Sequence, residues 1–387
     1  MENFTFYTPT KIYFGKDQIK HLRDEVVNYG QKVLLVYGGG SIKRNGIYDA
    51  VVKQLDGLTL YELSGVQPNP RLESVEEGVA LCHKYDIEVV LAVGGGSSID
   101  CAKAICAAAC SELSAWALIE KPQLIKAALP LISVLTIAAT GSEMDNTGVI
   151  TNPQLKLKKG FGNDLLAPKA SILDPTYTYT LPPRQSAAGV ADIMSHIIES
   201  YFNKTEGTYI QSQISIALLK TCIKYGPKVI SDPEDYEARA NLMWASSLAI
   251  NGLTSAGAGK HWSCHPMQHI LSAYYDCTHG EALAILTPAW MQYILNETTA
   301  TKISEYAREV FNIDESDDFK AALAGINQTR VFFKDLGLAT SLTQIGVDAA
   351  NIDTLAQGAV AAKGGKISGF VTLEKEDVAA IYRSCAQ

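Results

Sequence analysis

Lys32–Tyr37 reads KVLLVY and runs directly into Gly38-Gly39-Gly40-Ser41. So short an apolar run, rich in valine and leucine and closed by glycines, signals a strand covered on both faces rather than a helix. The arrangement recurs downstream, where IEVVLAV at 87–93 leads into Gly94-Gly95-Gly96-Ser97 and then a helical pattern to about residue 109. Between the two lie an amphipathic stretch at 47–55, a strand signal at 59–63, the turn Gln67-Pro68-Asn69-Pro70 and helical periodicity over 73–85. LISVLT at 131–136 adds a further strand, ending near Thr140-Gly141-Ser142-Glu143. Apolar strands alternating with helices predict a parallel, doubly wound sheet, whose ligands sit at the carboxyl ends of the strands.

The pattern changes after Leu181-Pro182-Pro183. Helical periodicity dominates from there, at 187–202, 211–225, 234–251 and 266–273, and strand signals almost vanish. The chain of 387 residues exceeds one hydrophobic core. It therefore divides into an α/β domain over 1–181 and an all-helical domain over 182–387.

Each Gly-Gly-Gly-Ser string follows a strand and precedes a helix. Glycine lets backbone approach a ligand closely, and a helix start offers unpaired N–H donors at the positive end of its dipole. Two such turns in one sheet make Gly38, Gly39, Ser41, Gly95, Gly96 and Ser97 candidate contacts for a dinucleotide. Neither string is GxGxxG, so this is not the common Rossmann fingerprint. Asp100 and Lys103 fall on the first turns of the second helix, where a carboxylate also complements the dipole.

Asp192 and His196 are four apart in a helical pattern and share a face; His265 and His269 repeat the spacing, and His279 follows ten residues on. Four imidazoles and a carboxylate in one helical domain point to a metal, and nitrogen and carboxylate donors without thiolate suit Fe²⁺ or Zn²⁺. Cys264 and Cys277 adjoin these residues at offsets that turn them elsewhere. His261, His21 and His83 read as non-ligands.

Net charge is −8, with 47% hydrophobic and 19% charged residues and no basic run. Nucleic acid as a partner would need clustered positive charge. No apolar stretch approaches the ~20 residues that span a bilayer, and MENFTFYTPTKIYFG lacks the features of a signal peptide. Eight cysteines without a CxxC pair read as reduced. These features place the protein in the cytoplasm, with neither membrane nor nucleic acid as partner. A GxSxG elbow and a P-loop are both missing, which removes serine hydrolysis and P-loop nucleotide chemistry.

The blocks TPTKIYFG, PNPR at 68–71, GGGSSIDCAK, ATGSE, LPPRQ, the AD-x3-H helix and HPMQHILSAYYDCTHGEALAIL together resemble the iron-containing (group III) alcohol dehydrogenases, in their butanol dehydrogenase branch. The resemblance covers essentially the whole chain and implies the dehydroquinate synthase-like pairing of domains. It implies that Asp192, His196, His265 and His279 hold the metal, with His269 close by in proton transfer or substrate contact. It further implies that Gly95, Gly96 and Ser97 touch the pyrophosphate, and that Asn69, Asp100, Thr136, Thr140 and Lys158, with Lys159 as a competitor, lie near the cofactor. Family members that prefer NAD often carry an aspartate where this chain has Gly38, so NADP(H) is favoured over NAD(H), with Lys43 and Arg44 close by. The expected activity interconverts short primary alcohols and aldehydes, in a homodimer. A glycerol dehydrogenase or dehydroquinate synthase is the alternative on the same fold; a silent sensor or a scaffold has little support.

Overall fold

The computed structural model describes residues 1–259 and 261–387. The chain forms two compact units: Tyr7–Leu181 with Pro233–Asn251, and Met1–Phe6 with Pro182–Asp232 and Gly252–Gln387. Relative to a single division after residue 181, residues 1–6 belong with the helical unit and residues 233–251 with the α/β unit. The second transfer has a visible cause. Met243 of helix Tyr236–Ile250 lies in the sheet's core, and Ser247 Oγ donates to the buried Glu143 at 2.5 Å.

The sheet of the α/β unit contains β1 (Lys11–Phe14), β2 (Lys32–Tyr37), β3 (Thr59–Leu63), β4 (Val89–Gly94), β5 (Leu131–Leu135) and β8 (Ala170–Leu173), all parallel, in the order β1-β8-β5-β4-β2-β3. Its two faces explain why β2 and β4 are apolar throughout. Leu34, Val36, Val90 and Ala92 pack against Ile99 and Ile105, whereas Val33, Leu35, Val89 and Leu91 pack against Val26 and Val51. Successive side chains alternate between two buried layers, as a doubly wound sheet requires.

Sequence periodicity finds β2 and β3 at their observed limits and β4 and β5 to within two residues. It misses β1 and β8, each four residues long, and the antiparallel hairpin of β6 (Thr147–Asn152) and β7 (Leu157–Gly162). Gly148, Gly160, Gly162, Lys158 and Lys159 dilute the hairpin's strand signal.

The second unit is helical. Helix Pro183–Tyr201 starts at the proline pair, since proline lacks only an N–H that the first turn leaves unused. Tyr209–Ser231, Cys264–Tyr275 and His279–Ile294 follow, with four more helices after them. Tyr209–Ser231 and Cys264–Tyr275 outrun the periodicity at 211–225 and 266–273, the first continuing past Pro227, whereas Tyr236–Ile250 falls inside the 234–251 reading. The core is built on Tyr201, Phe202, Trp290 and Tyr306. Among the described residues no helix is long and apolar enough to cross a membrane.

Candidate metal and dinucleotide sites

Helix Pro183–Tyr201 carries Asp192 and His196 on one face, Cys264–Tyr275 carries His265 near its start, and His279 opens His279–Ile294. These helices converge so that one donor atom from each of the four residues lies within 4.8 Å of the other three. Asp192 Oδ1 is the hub: Nε2 of His196, His265 and His279 stand 3.5, 3.9 and 3.4 Å from it. Ligands about 2.0–2.1 Å from a tetrahedral ion stand roughly 3.3–3.4 Å apart, so the donors are spaced as such a set. His265 Nε2 is buried and has no hydrogen-bond partner among the described residues. An imidazole nitrogen left so is costly unless something binds it. Nitrogen and carboxylate donors, their spacing and this nitrogen all fit Fe²⁺ or Zn²⁺.

The other ring nitrogens of His265 and His279 are taken. Glu199 Oε1 accepts from His265 Nδ1 at 2.5 Å, and Gln268 Oε1 accepts from His279 Nδ1 at 2.5 Å. Gln268 is itself fixed, its Nε2 donating to Ser272 Oγ at 2.5 Å. Partners of this kind set tautomer and ring orientation. Sequence reasoning missed both, although the signal existed: Glu199 follows His196 by three residues and Gln268 follows His265 by three, on the helical faces of the candidate ligands. Trp262 also escaped notice; its ring meets those of His265 and His196 edge-on at 4.5 and 5.6 Å.

His269 lies beside this group rather than in it, its ring 6.2 Å from that of His265 and 6.0 Å from that of His279. Asp192, His196 and His265 are buried while His279 is partly exposed, so the accessible side of the cluster is the side of His279. Arg184 grips Glu281 through two nitrogens, with contacts at 2.7, 2.8 and 3.2 Å. Gly280 then lets the start of His279–Ile294 approach the neighbouring helix: a Cβ there would stand 1.9 Å from Ala188 O.

In the α/β unit the two glycine strings behave differently. Gly94-Gly95-Gly96 opens Gly96–Ala108, a helix of 13 residues. Here glycine is a steric necessity, because a Cβ on Gly96 would stand 2.4 Å from Thr140 Oγ1. The turn therefore lies against the segment after β5 and offers the start of a long helix, the arrangement that holds pyrophosphate. Gly38-Gly39-Gly40 leads only into the single turn Ser41–Arg44. It supplies room instead: a Cβ on Gly39 or Gly40 would meet nothing within 4 Å.

Asn69 and Lys158 come together. Asn69 is buried with φ at 54°, and its Oδ1 accepts from Lys158 Nζ at 2.7 Å. Thr136 N donates to Gly94 O at 3.0 Å, which joins the loop after β5 to the second glycine turn. Asp100 has internal partners on both oxygens, Ser142 Oγ at 2.6 Å and Val149 N at 2.9 Å, and burial pushes its carboxyl up to about 6. Lys103 is fully buried, with Nζ among Ser142 O, Ser142 Oγ, Asp145 Oδ1 and Thr147 O at 2.6–2.9 Å. Asp100 and Lys103 thus brace the loop that carries Thr140.

A parallel sheet with glycine-rich turns and a helical unit holding an Asp-His₃ cluster are the features expected of a metal-dependent, dinucleotide-linked dehydrogenase. Residues 9–175 match the family described as iron-containing alcohol dehydrogenase, and residues 186–386 match the C-terminal part of the same family. The NADH-dependent butanol dehydrogenase A of Clostridium acetobutylicum is 49% identical over 99% of both chains. The NADPH-dependent aldehyde reductase YqhD of Escherichia coli is 40% identical over 92% of both. The crystal structure of NADH-dependent butanol dehydrogenase A from Thermotoga maritima superposes with a TM-score of 0.95 at 40% identity, covering 100% of this chain and 99% of that one. The chain belongs to the iron-containing alcohol dehydrogenase family, and it is an oxidoreductase of CH–OH groups linked to a nicotinamide cofactor and a metal.

Proposed function

We propose that the chain interconverts short-chain primary alcohols and aldehydes, butanol and butanal among them, with Asp192, His196, His265 and His279 as its metal ligands. The observation that carries this reading is the set of three imidazole Nε2 atoms 3.4–3.9 Å from Asp192 Oδ1. A divalent ion bound there supplies Lewis acidity toward the substrate oxygen during hydride transfer. Glu199 and Gln268 orient His265 and His279, and Trp262 shields the rings from water. His269, beside the ligands, takes the alcohol's proton in oxidation and returns it in reduction.

Gly95, Gly96 and Ser97 hold the pyrophosphate at the start of Gly96–Ala108. Thr136, Thr140, Asn69 and Lys158 position the rest of the cofactor, Asp100 contributing through the loop it braces. Gly38, Gly39 and Ser41 receive the adenosine ribose. The lack of a carboxylate at 38 favours NADPH over NADH, and the relatives' names include both cofactors. Fe²⁺ and Zn²⁺ both suit the donors. The dinucleotide function belongs to 1–181 and the metal function to 182–387. Family resemblance supports a homodimer, and eight free cysteines agree with a reducing, cytoplasmic setting.

The test is the initial rate of butanal reduction with NADPH and with NADH, on metal-stripped protein given Fe²⁺ or Zn²⁺. Metal-dependent turnover is expected, faster with NADPH. Absence of turnover with every short aldehyde and either metal, alongside activity on a polyol, would overturn the substrate assignment.

A further inference from the structure

Beside the first glycine turn stands a charged cluster that the dehydrogenase reading does not use. Tyr37 ends β2, immediately before Gly38. Its hydroxyl donates to Glu62 Oε2 at 2.5 Å, and the hydroxyl of Tyr48, on helix Ile47–Gln54, donates to Glu62 Oε1. Glu62 lies on β3, the strand paired directly with β2. Lys43, on the turn Ser41–Arg44, places Nζ 3.5 Å from Glu62 Oε2, 4.4 Å from the centre of the Tyr48 ring and 5.2 Å from that of Tyr37.

An exposed ion pair ordinarily contributes little, because both long side chains must be ordered to form it. Here one partner is ordered already. Two tyrosine hydroxyls, one on each oxygen, fix the Glu62 carboxylate, and the rings beneath give the ammonium a second attraction. The tyrosines and Lys43 hold Glu62 below the usual glutamate range, so it stays charged against the opposing effect of partial burial. Lys43 therefore has a preferred place beside Glu62. Yet its side chain is 47% exposed and that of Glu62 37%, so it can leave when a stronger anion appears.

NADPH differs from NADH only by a 2′-phosphate on the adenosine ribose. In dinucleotide folds, an acidic residue on the strand after the glycine turn is a recurrent discriminator at that ribose. Glu62 stands in that place relative to Gly38-Gly39-Gly40-Ser41, with Lys43 already in its grip. We infer that Glu62 tunes the choice of dinucleotide by holding Lys43 away from the 2′-phosphate position, with Tyr37 and Tyr48 as the fixed mount. Glu62 is thus a specificity residue that acts through another. The inference rests on the proposed role of the first glycine turn in seating the adenosine ribose.

The test measures dissociation constants of NADPH and NADH by cofactor fluorescence on the full-length, metal-loaded protein, for wild type, Glu62→Gln, Lys43→Met and the double variant. Loss of one exposed charge contact is worth roughly two- to fivefold in affinity. Glu62→Gln is expected to shift the affinity ratio about that far toward NADPH, and the double variant to cancel the shift. A ratio unchanged within twofold in Glu62→Gln overturns the inference. So does a shift that persists in the double variant, since Lys43 would then play no part. Failure of wild type to bind either dinucleotide would overturn the dehydrogenase reading and this inference with it. Binding of both dinucleotides with a ratio that does not move in Glu62→Gln would overturn this inference alone.

Discussion

Glu199 Oε1 lies 2.5 Å from His265 Nδ1, while its Oε2 accepts from the amides of Ser263 and Cys264 at 2.5 and 2.7 Å. One carboxylate on helix Pro183–Tyr201 thus fixes both the ring of His265, a proposed ligand, and the start of the helix that carries it. Removing it releases His265 to rotate and leaves two buried amides without an acceptor. Glu199→Ala is expected to weaken metal binding about 10- to 100-fold. Competition with a fluorescent chelator measures this, with circular dichroism confirming the fold. Affinity within twofold of wild type would show that His265 needs no such support.

His279 and His269 are expected to part company on substitution. His279→Ala removes a donor 3.4 Å from Asp192 Oδ1, so metal content and turnover should both collapse while dinucleotide binding survives. His269→Ala should retain metal and lose about 10²- to 10⁴-fold in rate, the usual share of a positioned proton carrier. Metal analysis of the two purified variants separates the roles. Loss of metal from His269→Ala would make it a ligand.

The difference between these two histidines marks how far the sequence could be read. Helical spacing found Asp192, His196, His265 and His269 as same-face pairs, but the same spacing cannot tell a ligand from its neighbour. That distinction depends on where three helices meet. The sheet was legible where strands are buried on both faces, as in β2 and β4, and illegible at β1, β8 and the β6–β7 hairpin, which are short or glycine-rich. Asp100 shows the other limit. A carboxylate near a helix start suggests a ligand or a dipole partner, whereas its real partners, Ser142 and Val149, come from far along the chain.

Glu143 should make stability depend on pH. Burial pushes its carboxyl up to about 7, against which the hydrogen bond from Ser247 is insufficient; Asp145 raises it further and Lys103 opposes. Its Oε2 is buried without a hydrogen-bond partner among the described residues. The folded state binds this proton more tightly than the unfolded chain does. The contribution is therefore fully present below about pH 4.5 and is lost as pH rises through about 7. At about 1.4 kcal/mol per pKa unit, the loss is of order 3 kcal/mol. Asp100, pushed up to about 6, acts in the same direction. Glu143→Gln cannot ionise, so urea denaturation from pH 5 to 8 should show a flatter profile than wild type. Parallel profiles would mean that Glu143 ionises freely in the fold.

Gly280 offers the sharpest steric test of how the cluster is assembled. A Cβ at this position would lie 1.9 Å from Ala188 O and 2.7 Å from its carbonyl carbon. Both are backbone atoms of a helix interior, so no side chain can swing aside. Gly280→Ala must instead push the start of His279–Ile294 away from Pro183–Tyr201, and His279 is the first residue of the helix that moves. Overpacking of this kind costs about 1–3 kcal/mol, more when backbone must shift, so about 3 kcal/mol is expected. Metal affinity should fall as well, although all four proposed ligands remain. Gly160→Ala is the comparison, since a Cβ there would meet only Gly148 O at 3.9 Å. Thermal melts of both variants with and without added Zn²⁺ read the two effects separately. If Gly280→Ala lost stability yet bound metal as tightly as Gly160→Ala, the close approach at Ala188 would serve packing alone and His279 would owe its position to Gln268.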